Sequence, residues 1–350
     1  MTRPLSSPHI RKARSTQQVM LLVAAATLPG LLAQTLYFGW GNLINVLWCC
    51  ALALLFDAAL TRCRGRSARK SISDGSALVT GLLLGLSLPP LLPWWVSLAA
   101  VFSALALGKH LYGGLGNNPF NPAMVGYAVV LISFPLPMTT LWVSPASDAL
   151  PNLADALTAI FAGSEPVDAY AGATPLDTYK QAIDGALASE VLTEPVFDGF
   201  VAKGWDWVNL AFGAGGIALL WLRIIRWHIP VAFLAGLALM SLVFGHDADQ
   251  AAPLSLHLLA GGTMLGAFFI ATDPVSAATS NRGRLIYGAG IGMLVFTIRH
   301  WGTYPDAIAF AVLLMNMAVP LIDHYTPQRT YGHGQRKRDK GNQTGEGARS

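Results

Sequence analysis

Pro122-Ala123-Met124-Val125-Gly126-Tyr127-Ala128-Val129-Val130-Leu131-Ile132 is an uncharged apolar run that opens on a proline. Pro305-Asp306-Ala307-Ile308-Ala309-Phe310-Ala311-Val312-Leu313-Leu314-Met315 repeats its pattern at an offset of 183. Leu84-Gly85-Leu86 answers Leu265-Gly266-Ala267 at an offset of 181. Two matches at nearly one offset point to a duplicated unit. Outward from them, ten apolar stretches fit bilayer spans, near 19–38, 43–61, 77–92, 94–108, 122–142, 208–222, 230–245, 254–272, 285–300 and 307–322. Five spans in each half turn the second half over relative to the first. The expected fold is therefore an all-α polytopic membrane protein, with about ten transmembrane helices in two inverted five-helix repeats. The expected divisions are an N-tail (1–18), a first repeat (19–142), one long outer loop (143–207), a second repeat (208–323) and a disordered tail (324–350). Inverted repeats place sites between their halves, lined by broken helices. Leu88-Pro89-Pro90-Leu91-Leu92-Pro93 and Ala271-Thr272-Asp273-Pro274 are the candidate breaks. The plain alternative is that Pro and Gly are ordinary in membrane helices.

Composition agrees. Hydrophobic residues make up 53% of the chain and charged ones 12%, about half the charged share of a soluble domain. The net charge of +4 does not argue for nucleic acid, because the basic residues fall in loops and tails. With the N-terminus in the cytoplasm, twenty Lys and Arg lie inside, and only Lys180, Lys203 and Arg299 lie outside. The first apolar run is a full span rather than a cleavable leader. Cys49, Cys50 and Cys63 have neither metal-ligand nor disulfide spacing. Trp94, Trp95, Trp142, Trp205 and Trp207 stand near span ends and read as an interfacial belt.

The long polar segment contains Asp168-Ala169-Tyr170-Ala171-Gly172-Ala173-Thr174. Small residues lead to a single hydroxyl, with an acid six positions before it. Gly172 and Ala173 leave room beside Thr174 for a bulky group. Pro175 biases Thr174 toward extended backbone. An Ala- and Gly-rich surface turn is the plain reading of the same string. The charge asymmetry puts Thr174 on the outer face, the periplasm in a bacterium.

On the inner side, Lys109-His110-Leu111-Tyr112-Gly113-Gly114-Leu115-Gly116-Asn117-Asn118-Pro119-Phe120-Asn121-Pro122 is a polar, Gly-rich entry to a helix. Its glycines allow close backbone approach, and its Asn side chains offer donors and acceptors suited to a flavin or quinone edge. Gly113, Gly114, Asn118 and Asn121 are the candidates for holding such a ring. Asn121 as N-cap with Pro122 at the first helical position is the structural reading. Asp273 beside span eight and Asp57 within span two are costly unless paired, so both are candidates for an ion or proton path. Arg282 and Arg284 could partner Asp273, and Arg62 could partner Asp57. His300, Asp306, Asp323 and His324 read as interfacial. There is no zinc pattern, nucleophile elbow, phosphate loop, Rossmann fingerprint or iron–sulfur cysteine set. The chain is not expected to take electrons from NADH or ferredoxin unaided.

Asp168 to Thr174 resembles the flavin-attachment motif Asp-x-x-Ser/Thr-Gly-Ala-Thr, with Ala171 where the pattern has Ser or Thr. The stretches Lys109 to Gly116, Phe120 to Ala123, Gly261 to Pro274 and Gly302 to Asn316 are similar to the NqrB/RnfD family, and closer to its RnfD branch. The resemblance implies a membrane subunit of an Rnf/Rsx-type complex of the bacterial inner membrane. Such a complex moves electrons between ferredoxin and NAD and couples them to Na⁺ or H⁺ transport. It implies FMN on Thr174 through a phosphoester, placed there by a flavin transferase, with Asp168, Gly172 and Ala173 completing the attachment motif. It also implies a second, non-covalent flavin such as riboflavin among the spans, with the Gly/Asn loop as the place for it. The chain would be one part of a translocase and no complete enzyme alone. A small-solute channel or transporter with a five-plus-five repeat is the competing reading.

Overall fold

A computed structural model describes residues 14–145, 150–163, 170–183, 185–245, 251–304 and 306–327. The first part contains α1 (Thr16–Phe38), α2 (Gly41–Cys63), α3 (Ala68–Ser73), α4 (Ser76–Ser87), α5 (Trp94–Ser103), which continues as a π-helix (Ala104–His110), α6 (Pro122–Ser133) and α7 (Pro135–Thr140). The polar segment contains β1 (Trp142–Val143), α8 (Leu153–Ala162), β2 (Ala171–Gly172), α9 (Pro175–Ala182) and α10 (Ala188–Val191). The last part contains α11 (Trp205–Trp221), α12 (His228–Phe244), α13 (Leu254–Leu259), α14 (Thr263–Leu265) with a π-helix (Gly266–Ile270), α15 (Asn281–Trp301) and α16 (Ile308–Tyr325). Three helices, α1, α2 and α16, are long and apolar enough to cross a bilayer, and α4, α6, α8 and α12 are shorter apolar helices.

Polarity is arranged as a bilayer requires. On α1, Leu28, Leu32 and Leu36 face outward at 56%, 61% and 65% exposure, while Thr27 and Gln34 are buried. A water-soluble helix would present the opposite faces. The buried polar groups have a backbone task. Gln34 Nε2 donates to Leu86 O at 3.2 Å, and Asn45 Nδ2 to Pro89 O at 3.1 Å. Asn209 Nδ2 lies 3.0 Å from Trp205 O and 2.9 Å from both Leu259 O and Gly261 O, and Asn209 Oδ1 accepts from Met264 N. In hydrocarbon, a carbonyl released by a helix break must be satisfied by protein. Asn209→Ala is accordingly expected to destabilise the chain by about 1–3 kcal/mol, the cost of orphaning buried groups. A lowered thermal midpoint in detergent measures it, and an unchanged midpoint would remove Asn209 from that role.

Several boundaries differ from the sequence expectation. The helix pair 68–87 is interrupted at Gly75 (φ +77°), and the pair 254–265 at Gly261 (φ +62°). Glycine adopts that backbone at little cost, so the breaks fall there. Residues 88–93 and 271–274, the expected breaks, are turns that follow the helices. The stretch expected as one span over 122–142 is two helices, because Pro135 forces Phe134 out of helical geometry (φ −133°). Asn121 does cap α6, accepting from Ala123 N and Met124 N, with Pro122 in the first turn.

Helix α1 packs on α11, and α6 on α16. Asn121 Nδ2 crosses between the two parts to donate to Ile270 O at 3.1 Å. The α1–α11 approach is close: a Cβ on Gly215 would lie 2.0 Å from Ala26 O. The all-α expectation needs one correction. β1 and β2 form a two-stranded antiparallel ribbon, pairing Trp142 with Gly172 and Val143 with Ala171. Ser144 N continues it by donating to Tyr170 O at 3.1 Å. This ribbon ties the polar segment to the end of α7.

Candidate cofactor-binding sites

Thr174 is half-buried and is the N-cap of α9. Its backbone is extended (φ −69°, ψ 158°), as a residue before proline should be. Its Oγ1 accepts from Asp177 N at 3.2 Å and donates to Asp177 Oδ2 at 2.7 Å. Burial pushes the Asp177 carboxyl up, the Thr174 hydrogen bonds pull it down, and nearby Asp306 pushes it up again. Gly172 also has a place in the ribbon. A Cβ there would meet Ser144 Cβ at 2.8 Å, so the missing side chain serves the ribbon. Ala173 is the exposed residue beside Thr174. Asp168 lies outside the described residues.

Thr174 and Asp177 stand at a cleft between the two parts of the chain. Trp142, Trp205, Tyr127 and Asp306 also line it. Trp142 and Trp205 pack against each other, ring centroids 5.4 Å apart. These two tryptophans therefore belong to the cleft and not to the interfacial belt, whereas Trp94, Trp95 and Trp207 are exposed as a belt requires. Gln34 lines the same cleft, and its buried Oε1 meets no donor among the described residues.

A second cavity lies on the other side of the Asn121–Ile270 contact. Asn118, Asn121, Lys109, Phe269 and Asp273 are among its lining residues. Asn118 Nδ2 donates to Phe120 O, which leaves its buried Oδ1 without a donor among the described residues. An orphaned acceptor in each cavity fits a ligand that carries a ring N–H. Gly113 and Gly114 do not join this cavity. They line a separate opening with Arg66 and His110, so the four candidates of the Gly/Asn loop divide between two places.

The two intramembrane acids have different surroundings. Asp57 is fully buried, with Oδ1 2.7 Å from Lys109 Nζ and 2.8 Å from His110 Nε2, while Ser71 Oγ donates to Oδ2 at 2.6 Å. Neither Arg62 nor any other arginine is its partner among the described residues. Lys109 therefore serves as a buried counter-ion rather than as a free inside charge. Asp273 Oδ2 accepts from Ser276 N and Oγ at 3.1 and 2.7 Å. Arg284 donates to Ala278 O and Asn281, and Asp273 forms no ion pair among the described residues. Asp306 is set 3.9 Å from the buried Arg299, and Asp323 accepts from Thr279 N.

Sequence reasoning missed Asp177, Asp306 and the Lys109–His110 pairing. Thr174-Pro175-Leu176-Asp177 does carry a signal, since a hydroxyl followed three residues later by an acid marks a helix start. A buried Asp57 likewise demands a cation. Asp306 gave no signal beyond its place near a span end.

The fold, with its apolar helices long enough to cross a bilayer and its cavities on either side of the Asn121–Ile270 contact, is that of a polytopic membrane protein. A sequence profile of the NQR2, RnfD, RnfE family matches residues 4–332, and the chain belongs to that family. It is 64% identical over 336 residues to the D subunit of the ion-translocating oxidoreductase complex of Marinobacter nauticus, covering 95% of this chain and 96% of that protein. It is 52% identical over 344 residues to the corresponding D subunit of Aliivibrio salmonicida, covering 94% and 97%. The Vibrio cholerae D subunit is 52% identical over 345 residues, covering 94% and 98%.

Proposed function

We propose that this chain is the D subunit of an ion-translocating oxidoreductase complex of the bacterial inner membrane, carrying FMN as a phosphoester on Thr174. The observation that carries the reading is Thr174 itself, a half-buried hydroxyl at an aromatic-lined cleft, at the end of the attachment motif. The near full-length likeness to D subunits supports the wider role. The chain works with the other subunits of the complex and is no complete enzyme alone. Flavin on Thr174 would supply transfer of one or two electrons. The chain supplies position: Trp142 and Trp205 offer ring faces, and Gln34 Oε1 offers an acceptor. In the inner cavity Asn118 and Asn121 would hold a second, non-covalent flavin such as riboflavin, with Asn118 Oδ1 as the acceptor. Electrons pass between ferredoxin and NAD across the complex, coupled to Na⁺ or H⁺ movement.

The helices read as two inverted repeats of five, over 19–142 and 208–323, with α1 equivalent to α11 and α6 to α16. Packing of α1 on α11 and of α6 on α16 supports this, since helices beside a two-fold axis meet their own equivalents. The Lys and Arg distribution supports cytoplasmic termini and a periplasmic Thr174. Peptide mapping by mass spectrometry tests the central claim. The chain, produced with a flavin transferase, should yield a tryptic peptide containing Thr174 that carries the mass of FMN. An unmodified peptide would sink it.

Asp273 lines the inner cavity, is half-buried, and is met by the Ser276 hydroxyl and by the backbone of Val275 and Ser276, with no ion pair among the described residues. Such a carboxylate suits exchange of a proton or cation. Asp273→Asn is expected to leave flavin on Thr174 intact and to lower membrane potential per assembled complex several-fold. A variant that lost yield but kept potential per complex would make Asp273 structural.

A further inference from the structure

Among the described residues, three helices begin with a polar N-cap and an acid or amide three residues later. In α1, Ser15 caps Gln18 N, and Gln18 Oε1 reaches back to the Ser15 backbone N–H at 3.1 Å. In α8, Asn152 caps Asp155 N, and Asp155 Oδ2 reaches back to the Asn152 backbone N–H at 3.4 Å. Both are reciprocal capping boxes. At α9 the box is not closed. Thr174 Oγ1 accepts from Asp177 N, but the Asp177 carboxylate turns to the Thr174 hydroxyl instead of the backbone, at 2.7 Å. Of these three N-caps, the one whose acid leaves the capping role is the residue read above as the flavin acceptor.

From this geometry we infer that Asp177 is the base, built into the acceptor chain, that removes the Thr174 hydroxyl proton during flavin transfer. The inference rests on the flavin reading of Thr174. The co-reactant is a flavin dinucleotide held by the transferase. Thr174 Oγ1 forms a bond to the flavin-bearing phosphorus, and the pyrophosphate P–O bond breaks. The nucleoside monophosphate leaves with that bond's electron pair, and the hydroxyl proton passes to Asp177 Oδ2. No electron is gained or lost.

The surroundings favour this role. Asp177 is 8% exposed, on the cleft side of α9. Burial raises its carboxyl above the ordinary range, which makes the carboxylate a better proton acceptor. The groups facing it are Asp306 before α16, Tyr127 of α6 and Lys180 of its own helix. Asp306 reinforces the upward push and Lys180 opposes it.

The test uses the full chain, purified without flavin, mixed with flavin transferase and flavin dinucleotide. Label is followed by flavin fluorescence in denaturing gels and by peptide mass. The unaltered chain should label at a rate that rises with pH through the Asp177 titration and then levels. Asp177→Asn should label about 100-fold more slowly or worse, as loss of a positioned base predicts, and should lose that rise. Asp177→Glu should recover part of the rate. A thermal midpoint within reach of the parent's separates a missing base from a misfolded loop, and Thr174→Ser, with both partners kept, controls for acceptor geometry. Equal rates and equal pH profiles for the parent and Asp177→Asn would overturn the base alone. No label on the unaltered chain would overturn the flavin assignment and the base with it.

Discussion

Thr174→Ala, produced beside a flavin transferase, is expected to give a colourless band: complete loss of in-gel flavin fluorescence from a chain that still folds. The substitution removes the only side-chain oxygen at this position that could carry the phosphoester. It also removes the N-cap of α9, at a cost of about 1 kcal/mol. That cost is small against a bundle whose helices are held elsewhere, so yield should fall little. Thr174→Ser restores both cap and acceptor and should restore fluorescence. Persisting covalent fluorescence in Thr174→Ala would move the attachment to another residue.

The second large effect is structural. Gly215→Leu should abolish recovery of monodisperse protein in detergent. A Cβ at Gly215 would sit 2.0 Å from Ala26 O, and one at Gly30 would sit 2.2 Å from the Phe212 ring. Ordinary overpacking costs about 1–3 kcal/mol because side chains can shift. Here the obstacle at Gly215 is a backbone oxygen of α1, so the two helices themselves must part. The outer cleft lies beside this contact, since Phe212 of α11 lines it. Gly213→Ala is the control: its Cβ would meet nothing nearer than Met264 at 4.0 Å. Size-exclusion profiles of the two variants decide the matter, and a normal profile for Gly215→Leu would overturn the close-packing argument.

The long apolar runs were legible because each signals itself. α1, α2, α15 and α16 begin and end within a few residues of the hydropathy boundaries. The short pieces were not. Gly75 and Gly261 break their helices through backbone conformation, and the amide that makes the Gly261 break tolerable comes from another helix, Asn209 on α11. No local pattern records such a donor. Site residues divide in the same way. Thr174 could be picked from its own motif, and its neighbour Asp177 from a capping pattern. The partner of Asp57 lies 52 residues away, on a π-helix that aims Lys109 inward. Trp142 and Trp205 looked like belt residues, since both stand near span ends. Only the ribbon and the outer cleft turn them toward each other.

The hydrogen bond from Asn121 to Ile270 O is also a seal. Ile270 and Met124 face the outer cleft, while Asn121, Ala123 and Phe269 face the inner cavity. The two chambers thus stand back to back, Ala123 and Phe269 lining one, their chain neighbours Met124 and Ile270 the other, with the Asn121 amide at the boundary. A solute crossing from one to the other would have to break that bond and push Met124 and Ile270 aside. With flavins in both chambers, as proposed above, an electron would need no such opening to pass between them, and the bundle would act as an insulated wire rather than a pore.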